Sequence, residues 1–170
     1  MKKTILILAL MFCSLMYCQK QYVSVLADVR NGTVGSDSTI NTPALDLMIL
    51  GGVTDKNGIT IEIGYENFKE IEFQKMFFGI GYTFIHWSKK LECAVTVEPT
   101  YITRDWGVDK GKITYLSIGA STRGTYNFND NFGVSLLGNV LLRTDNAHRY
   151  DIHPPKIFSI YLGITYTFNQ

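Results

Sequence analysis

The residues of this chain best equipped for chemistry fall into two groups. Nine charges are spaced through segments that are otherwise apolar or neutral: Asp28, Arg30, Asp46, Glu62, Glu66, Glu92, Glu98, Arg123 and Arg143. Six carboxylates and three guanidiniums so placed can pair with one another or line a path for cations. Unpaired in a dry interior, each carboxylate would cost several kcal/mol. The second group lies near the C-terminus, where His148 and His153 share a polar stretch with Asp145, Arg149 and Asp151. Two imidazoles and two carboxylates are a ligand set for a divalent metal. An exposed loop is the simpler reading, because Pro154 and Pro155 follow, and we assign no metal. No glycine-rich phosphate cradle occurs and no Ser-His-Asp arrangement can be placed, so neither cofactor nor catalytic set is expected. Trp106, His148, Tyr150 and His153 remain as contact candidates on polar connections.

The elements that must position these groups are strands. The chain has 170 residues, enough for one domain with a sizeable core. A net charge of +1 without any basic cluster argues against nucleic acid. Residues 1–18 have the pattern of a cleaved secretory signal: Lys2 and Lys3, then an apolar run from Thr4 to Tyr17 too short to span a bilayer. Acylation at Cys18 is the rival reading, disfavoured because Tyr17 precedes it. Removing the segment leaves 14 basic against 15 acidic residues and Cys93 as the one cysteine, which excludes a disulfide framework and a cysteine metal site.

From residue 19 to 170, eight segments alternate apolar and polar residues with period two: 22–30, 44–53, 59–67, 76–86, 91–101, 113–126, 132–142 and 157–168. No stretch carries a 3.6-residue apolar stripe, so no helix is expected. The connections 54–58, 87–90 and 127–131 are short and turn-rich. Those at 31–43, 68–75, 102–112 and 143–155 are longer and mostly polar. Long and short alternate, so a meander would gather all the long loops at one end. That is the pattern of an eight-stranded antiparallel up-and-down transmembrane β-barrel.

One face of the eight segments carries no charge at all. It includes Val23, Val25 and Ala27; Ile59, Ile63 and Tyr65; Phe78, Ile80 and Phe84; and Phe158 through Phe168 at every second residue. The opposite face carries the nine charges among Ser, Thr and Gly. Eight strands enclose a space only just wide enough for side chains. The large apolar set would overfill it, whereas Gly64, Gly79, Gly81, Gly119 and Gly163 leave room there for Glu and Arg. The apolar face therefore points to lipid. Tyr65, Phe78, Tyr101 and Phe158 gather toward the long loops, and Phe84, Tyr126, Phe132, Tyr166 and Phe168 toward the turns, as two interfacial girdles would require.

With its eight segments, its loop alternation and its terminal "GITYTF", the chain from 19 to 170 resembles the small eight-stranded outer-membrane β-barrels of Gram-negative bacteria, the OmpA/OmpX type. The resemblance implies contact with outer-membrane lipid and a final strand recognised by the barrel-assembly machinery. His86-Trp87-Ser88 resembles the His-x-Ser pair of the outer-membrane lipid A deacylases, but Lys89 stands where that family has asparagine, and the motif falls at a short turn. Three roles follow as expectations: a structural or interaction barrel whose four long loops meet an extracellular ligand or protein, a narrow cation-preferring channel, and, last, a lipid-modifying enzyme. The first is preferred, with the interior charges as a plug. Closing the fifth and sixth strands with Ile102 opposite Ile113 would pair Glu92 with Arg123, with Glu62 nearby as a second acceptor.

Overall fold

The computed structural model describes residues 20–29, 45–69, 72–86, 90–105, 111–145 and 156–168. Residues 1–18, read above as a signal, Arg30, Ser88, Trp106, His148, Tyr150 and His153 lie outside the described residues, as does the side chain of His86. Eight strands follow in order: β1 (Lys20–Asp28), β2 (Leu47–Thr54), β3 (Ile59–Phe68), β4 (Phe73–His86), β5 (Leu91–Asp105), β6 (Lys112–Asn127), β7 (Phe132–Leu142) and β8 (Lys156–Phe168). Each pairs antiparallel with the next, and β8 pairs back onto β1 from Gln21–Phe168 to Asp28–Tyr161. The expected up-and-down barrel is closed, and no edge strand is left to aggregate.

Turn chemistry fixes the short connections. Asp55 Oδ1 accepts the backbone N–H of Asn57 and Ile59 at 2.9 and 2.8 Å, and Gly58 takes the left-handed φ of 89° that ends the turn. Asn129 Oδ1 does the same for Asn131 and Phe132 at 2.9 and 2.7 Å.

Two expectations need correction. The stretch 68–75 is no long loop: Phe68 pairs with Phe73, leaving only residues 69–72 between β3 and β4. Its charges suggested a loop, but Lys75 occupies an inward, ion-paired position that a strand accommodates. The β5–β6 register is also displaced by two residues. Ile102 lies opposite Tyr115, Glu92 opposite Thr125, and Arg123 opposite Ala94. A two-residue slip keeps every side chain on its face. The observed register is held by inward hydroxyls that meet across the pair, Thr96 and Ser121 at 2.7 Å.

The side chains divide by parity. Val25, Ile49, Ile63, Phe78, Val97, Leu116, Leu136 and Ile164 are among a continuous outward set with about half or more of their surface exposed. All nine girdle aromatics are exposed as well, and Phe132, Tyr166 and Phe168 stack edge-to-face with centroids 5.1 and 5.0 Å apart. Inside, Tyr22, Leu26, Met48, Leu50, Phe77, Leu137 and Tyr161 form one apolar cluster, and Phe68, Phe73, Ile102 and Leu141 a second. Gly64 makes the first possible, since a Cβ there would lie 2.1 Å from the Phe77 ring.

Cys93 is free and exposed on the outward face, opposite Phe84 and Gly124. A lipid-facing arginine costs about 2–4 kcal/mol at mid-bilayer and less toward the interfaces. Cys93→Arg should therefore lower the yield of the faster-migrating folded form on an unboiled gel after refolding into vesicles, while Cys93→Ser refolds normally. Equal yields for both variants would invert the assignment of faces.

Candidate functional site

The inward face builds a stack of polar layers, each tied across several strands. At the turn end Lys20 pairs with Glu92, and Asn127 Nδ2 donates to Glu92 Oε1 at 3.0 Å; both ions are partly exposed. Above them lies the layer of Glu62. Its Oε1 accepts from Arg123 Nη2 at 3.1 Å, from Arg123 Nε at 3.3 Å and from the Tyr22 hydroxyl. The Arg123 guanidinium lies 4.2 Å from the Tyr22 ring centroid and donates through Nη1 to Thr125 Oγ1 at 2.9 Å. From Thr125 a chain of hydroxyls runs through Ser135 and Thr165 to Ser24, joining β6, β7, β8 and β1. Arg123 is thus held by one ion pair, one hydroxyl and one ring face, with its charge neutralised where water is excluded.

Glu98 sits at mid-height with a different solution. Ser121 and Thr96 donate to its Oε1 at 2.5 and 3.1 Å, and Asn139 donates to Oε2 at 2.8 Å. Gly79 and Gly119 flank it; a Cβ at either would come 3.6 Å from its side chain. Three neutral donors hold this carboxyl group, and the two glycines leave it room.

Toward the loop end, Lys75 Nζ meets Glu66 Oε2 at 2.5 Å, and Tyr161 donates its hydroxyl to the same oxygen at 3.0 Å. The ammonium also lies 5.5 and 5.3 Å from the Phe77 and Tyr161 ring centroids. Asp28 and Asp46 are buried, and the Asp28 N–H donates to the Asp46 carbonyl at 3.0 Å. In the last layer Arg143 grips Asp145 with two parallel bonds of 2.8 and 2.7 Å, and Arg104 Nε stands 3.8 Å from Asp145 Oδ2. Both guanidiniums lie over the Phe73 ring, at 4.4 and 6.0 Å from its centroid.

Of the nine sequence-derived charges, Asp28, Asp46, Glu62, Glu66, Glu98, Arg123 and Arg143 are buried inside, and Glu92 lies at the turn-side mouth. Arg30 lies outside the described residues. The expected Glu92–Arg123 pair does not form: Arg123 takes Glu62, and Glu92 takes Lys20. Three buried charges were not read as interior ones, namely Lys75, Arg104 and Asp145. Each falls in a stretch read as loop, although extending the period-two alternation of β4 and β5 places Lys75 and Arg104 inward. Asp145 also bears on the metal reading of the last loop, because both its oxygens are engaged by Arg143.

Truncating Arg123 leaves Glu62 as an uncompensated buried carboxylate, which costs about 3–5 kcal/mol. Arg123→Ala should lower the urea midpoint in detergent accordingly, and Arg123→Ala with Glu62→Gln should recover part of the loss. Glu92→Gln, at the exposed pair, should cost at most ~1 kcal/mol. Equal effects at the two pairs would show that the deeper one is solvated.

No protein-family model and no curated protein matches the chain by sequence. By structure it is similar to the N-terminal β-barrel domain of Pseudomonas aeruginosa OprF, at 10% identity and a TM-score of 0.64 over 89% of this chain and 98% of that one. A de novo designed transmembrane β-barrel aligns at 12% identity and a TM-score of 0.55, covering 89% and 97% of the two chains. The Neisserial surface protein NspA aligns at 13% identity with a TM-score of 0.46, covering 89% and 94%. At such identities the likeness is one of fold. An inward ionic stack inside an outward apolar wall is built here on the fold of the small eight-stranded transmembrane β-barrels.

Proposed function

We propose that the protein is an integral outer-membrane barrel with a plugged lumen, acting as a structural or interaction element through its loop end. The observation that carries this reading is the burial of the interior. Leu26, Leu50, Thr60, Thr100, Ile102 and Ser135 have no exposed surface, and Glu62, Glu98 and Asp145 have 1%. Ionic layers and two apolar clusters occupy the height of the barrel, so a hydrated path would require several pairs to part together. A cation-preferring channel is correspondingly disfavoured. For an enzyme, the hydroxyls that meet a carboxylate among the described residues, Ser121 and Thr96 on Glu98, Tyr22 on Glu62 and Tyr161 on Glu66, are all buried in the barrel interior, away from any substrate. Placement in the bilayer is supported by the uncharged outward face, which in water would expose an apolar patch far beyond the few hundred Å² that soluble monomers carry. Assembly would deliver β8 to the barrel-assembly machinery and close it onto β1. The close approach at Gly163, where a Cβ would lie 1.9 Å from the Val25 carbonyl oxygen, shows how little room that seam has.

The test is conductance in a planar bilayer with protein already shown to be folded by its gel shift. Silence is expected from the wild-type chain. Stable cation-selective steps that disappear on replacing Glu62 and Glu98 with alanine would make the lumen a channel and end the plug reading.

A further inference from the structure

At the loop end, three consecutive outward rows cross β3 to β6 in register. The lowest is Tyr65, Met76, Tyr101 and Leu116. The next is Asn67, Gln74, Thr103 and Thr114, with the two threonine hydroxyls bonded at 3.1 Å. The last is Lys69, Glu72, Asp105 and Lys112. Here the Glu72 N–H donates to the Lys69 carbonyl at 3.0 Å, the Asp105 N–H donates to the Glu72 carbonyl at 3.3 Å, and Asp105 faces Lys112. At two-residue steps, about 7 Å along the strand, the wall passes from apolar to neutral polar to charged. A membrane makes the same passage from its acyl region to its headgroups.

The upper two rows line a concavity of about 270 Å³ in the outer wall. It lies near the lower limit of small-ligand sites, ~300–1,000 Å³, which suits part of a headgroup better than a whole lipid. Along the last row the charges run positive, negative, negative, positive across four adjacent strands. Three interstrand spacings set its outer lysines about 14 Å apart at the backbone. The ammonium groups of Lys69 and Lys112 and the Glu72 carboxylate are engaged by no other side chain among the described residues. A small anion at either lysine meets the repulsion of the carboxylates between them, and a small cation at the carboxylates meets that of the lysines. The complementary ligand is anionic at its ends and rich in hydroxyl donors in its middle. Beneath that middle, the amides of Asn67 and Gln74 both donate and accept, which suits hydroxyls in either orientation.

We infer that this notch holds the phosphorylated sugar headgroup of a surface glycolipid. Its phosphates meet Lys69 and Lys112, and ring hydroxyls between them donate to Glu72, with Asp105 adding acceptor oxygens. Hydroxyl-to-carboxylate bonds are charge-assisted, so the negative centre of the row binds the sugar while the lysines bind the phosphates. The acyl chains descend over Tyr65, Met76 and Tyr101. The inference rests on the outer-membrane placement proposed above, with the loop end at the outer leaflet, where the lipid is surface glycolipid.

The test is native mass spectrometry of the folded protein released from phosphatidylcholine vesicles carrying three probes in equal amount. These are a purified surface glycolipid with its phosphates, the same glycolipid after phosphatase treatment, and phosphatidylglycerol. The phosphorylated glycolipid should be retained about fivefold over each of the others, the scale of one exposed ion pair. Lys69→Ala with Lys112→Ala should bring it down to the level of the dephosphorylated form. Glu72→Ala should lower retention of both glycolipid forms alike and leave phosphatidylglycerol unchanged, which a purely electrostatic patch would not do. All three side chains are exposed, so the gel shift should stay as in the wild type. Equal retention of phosphatidylglycerol and phosphorylated glycolipid by inserted wild-type protein would overturn the sugar site alone, as would displacement of the glycolipid by excess inorganic phosphate. Failure of the folded protein to enter vesicles at all would overturn the membrane placement beneath it.

Discussion

A ring of eight strands encloses a space only just wide enough for side chains, so a charge buried there is costly unless it has a counter-charge or a set of donors. For Glu62, Glu66, Glu92, Glu98 and Asp145 the structure meets that requirement in three ways. Glu62, Glu66 and Asp145 each take a cation, and the cations Arg123, Lys75, Arg104 and Arg143 lie over aromatic rings. Glu98 is served by neutral hydroxyl and amide donors. At the mouth, Glu92 and Lys20 remain partly in water, where pairing matters less. Because the layers join strands distant in sequence, such as Glu62 on β3 with Arg123 on β6, they also lock the barrel's cross-section.

The outer wall follows from the same constraint. Charges placed inside leave the outward positions between the two aromatic girdles free of them, and residues at ease in lipid occupy those positions. Glycines mediate between the two demands. At Gly81 a Cβ would lie 1.9 Å from the Val95 carbonyl oxygen, and at Gly52 it would strike the Tyr22 ring at 2.3 Å. The inward face thus admits large, paired side chains in some places by giving up side chains in others. Pro99 shows the cost of exceptions: it points outward on β5 and pairs with Ile118, while the β4 ladder is interrupted beside it between Phe77–Thr100 and Ile80–Val97.

Parity was legible in the sequence because it repeats every two residues and a run of ten samples it several times. The lipid-facing set, the inward carboxylates and the strand count all rest on parity. Register is different: shifting β5 against β6 by two residues changes no facing, so only pairwise contacts such as Thr96–Ser121 decide it. The expected Glu92–Arg123 pair failed for that reason. Strand ends were obscured by charge. Lys75 and Arg104 read as solvated loop residues until the interior supplies Glu66 and Asp145 as their partners, and those partners come from other strands or from beyond a strand end.

The most direct test of the central claim, an ion-paired interior inside a lipid-facing wall, is a nitroxide scan along β8 in a cysteine-free background reconstituted into vesicles. Residues 158–168 would be labelled one at a time and their collision rates with oxygen and with a polar nickel chelate compared. The expected result is a period of two: high oxygen access at Phe158, Ile160, Leu162, Ile164, Tyr166 and Phe168, and low access to both reagents at Tyr161, Thr165 and Thr167. Strong access of the nickel chelate at the odd positions would mean a hydrated lumen, and oxygen maxima at those positions would turn the barrel inside out.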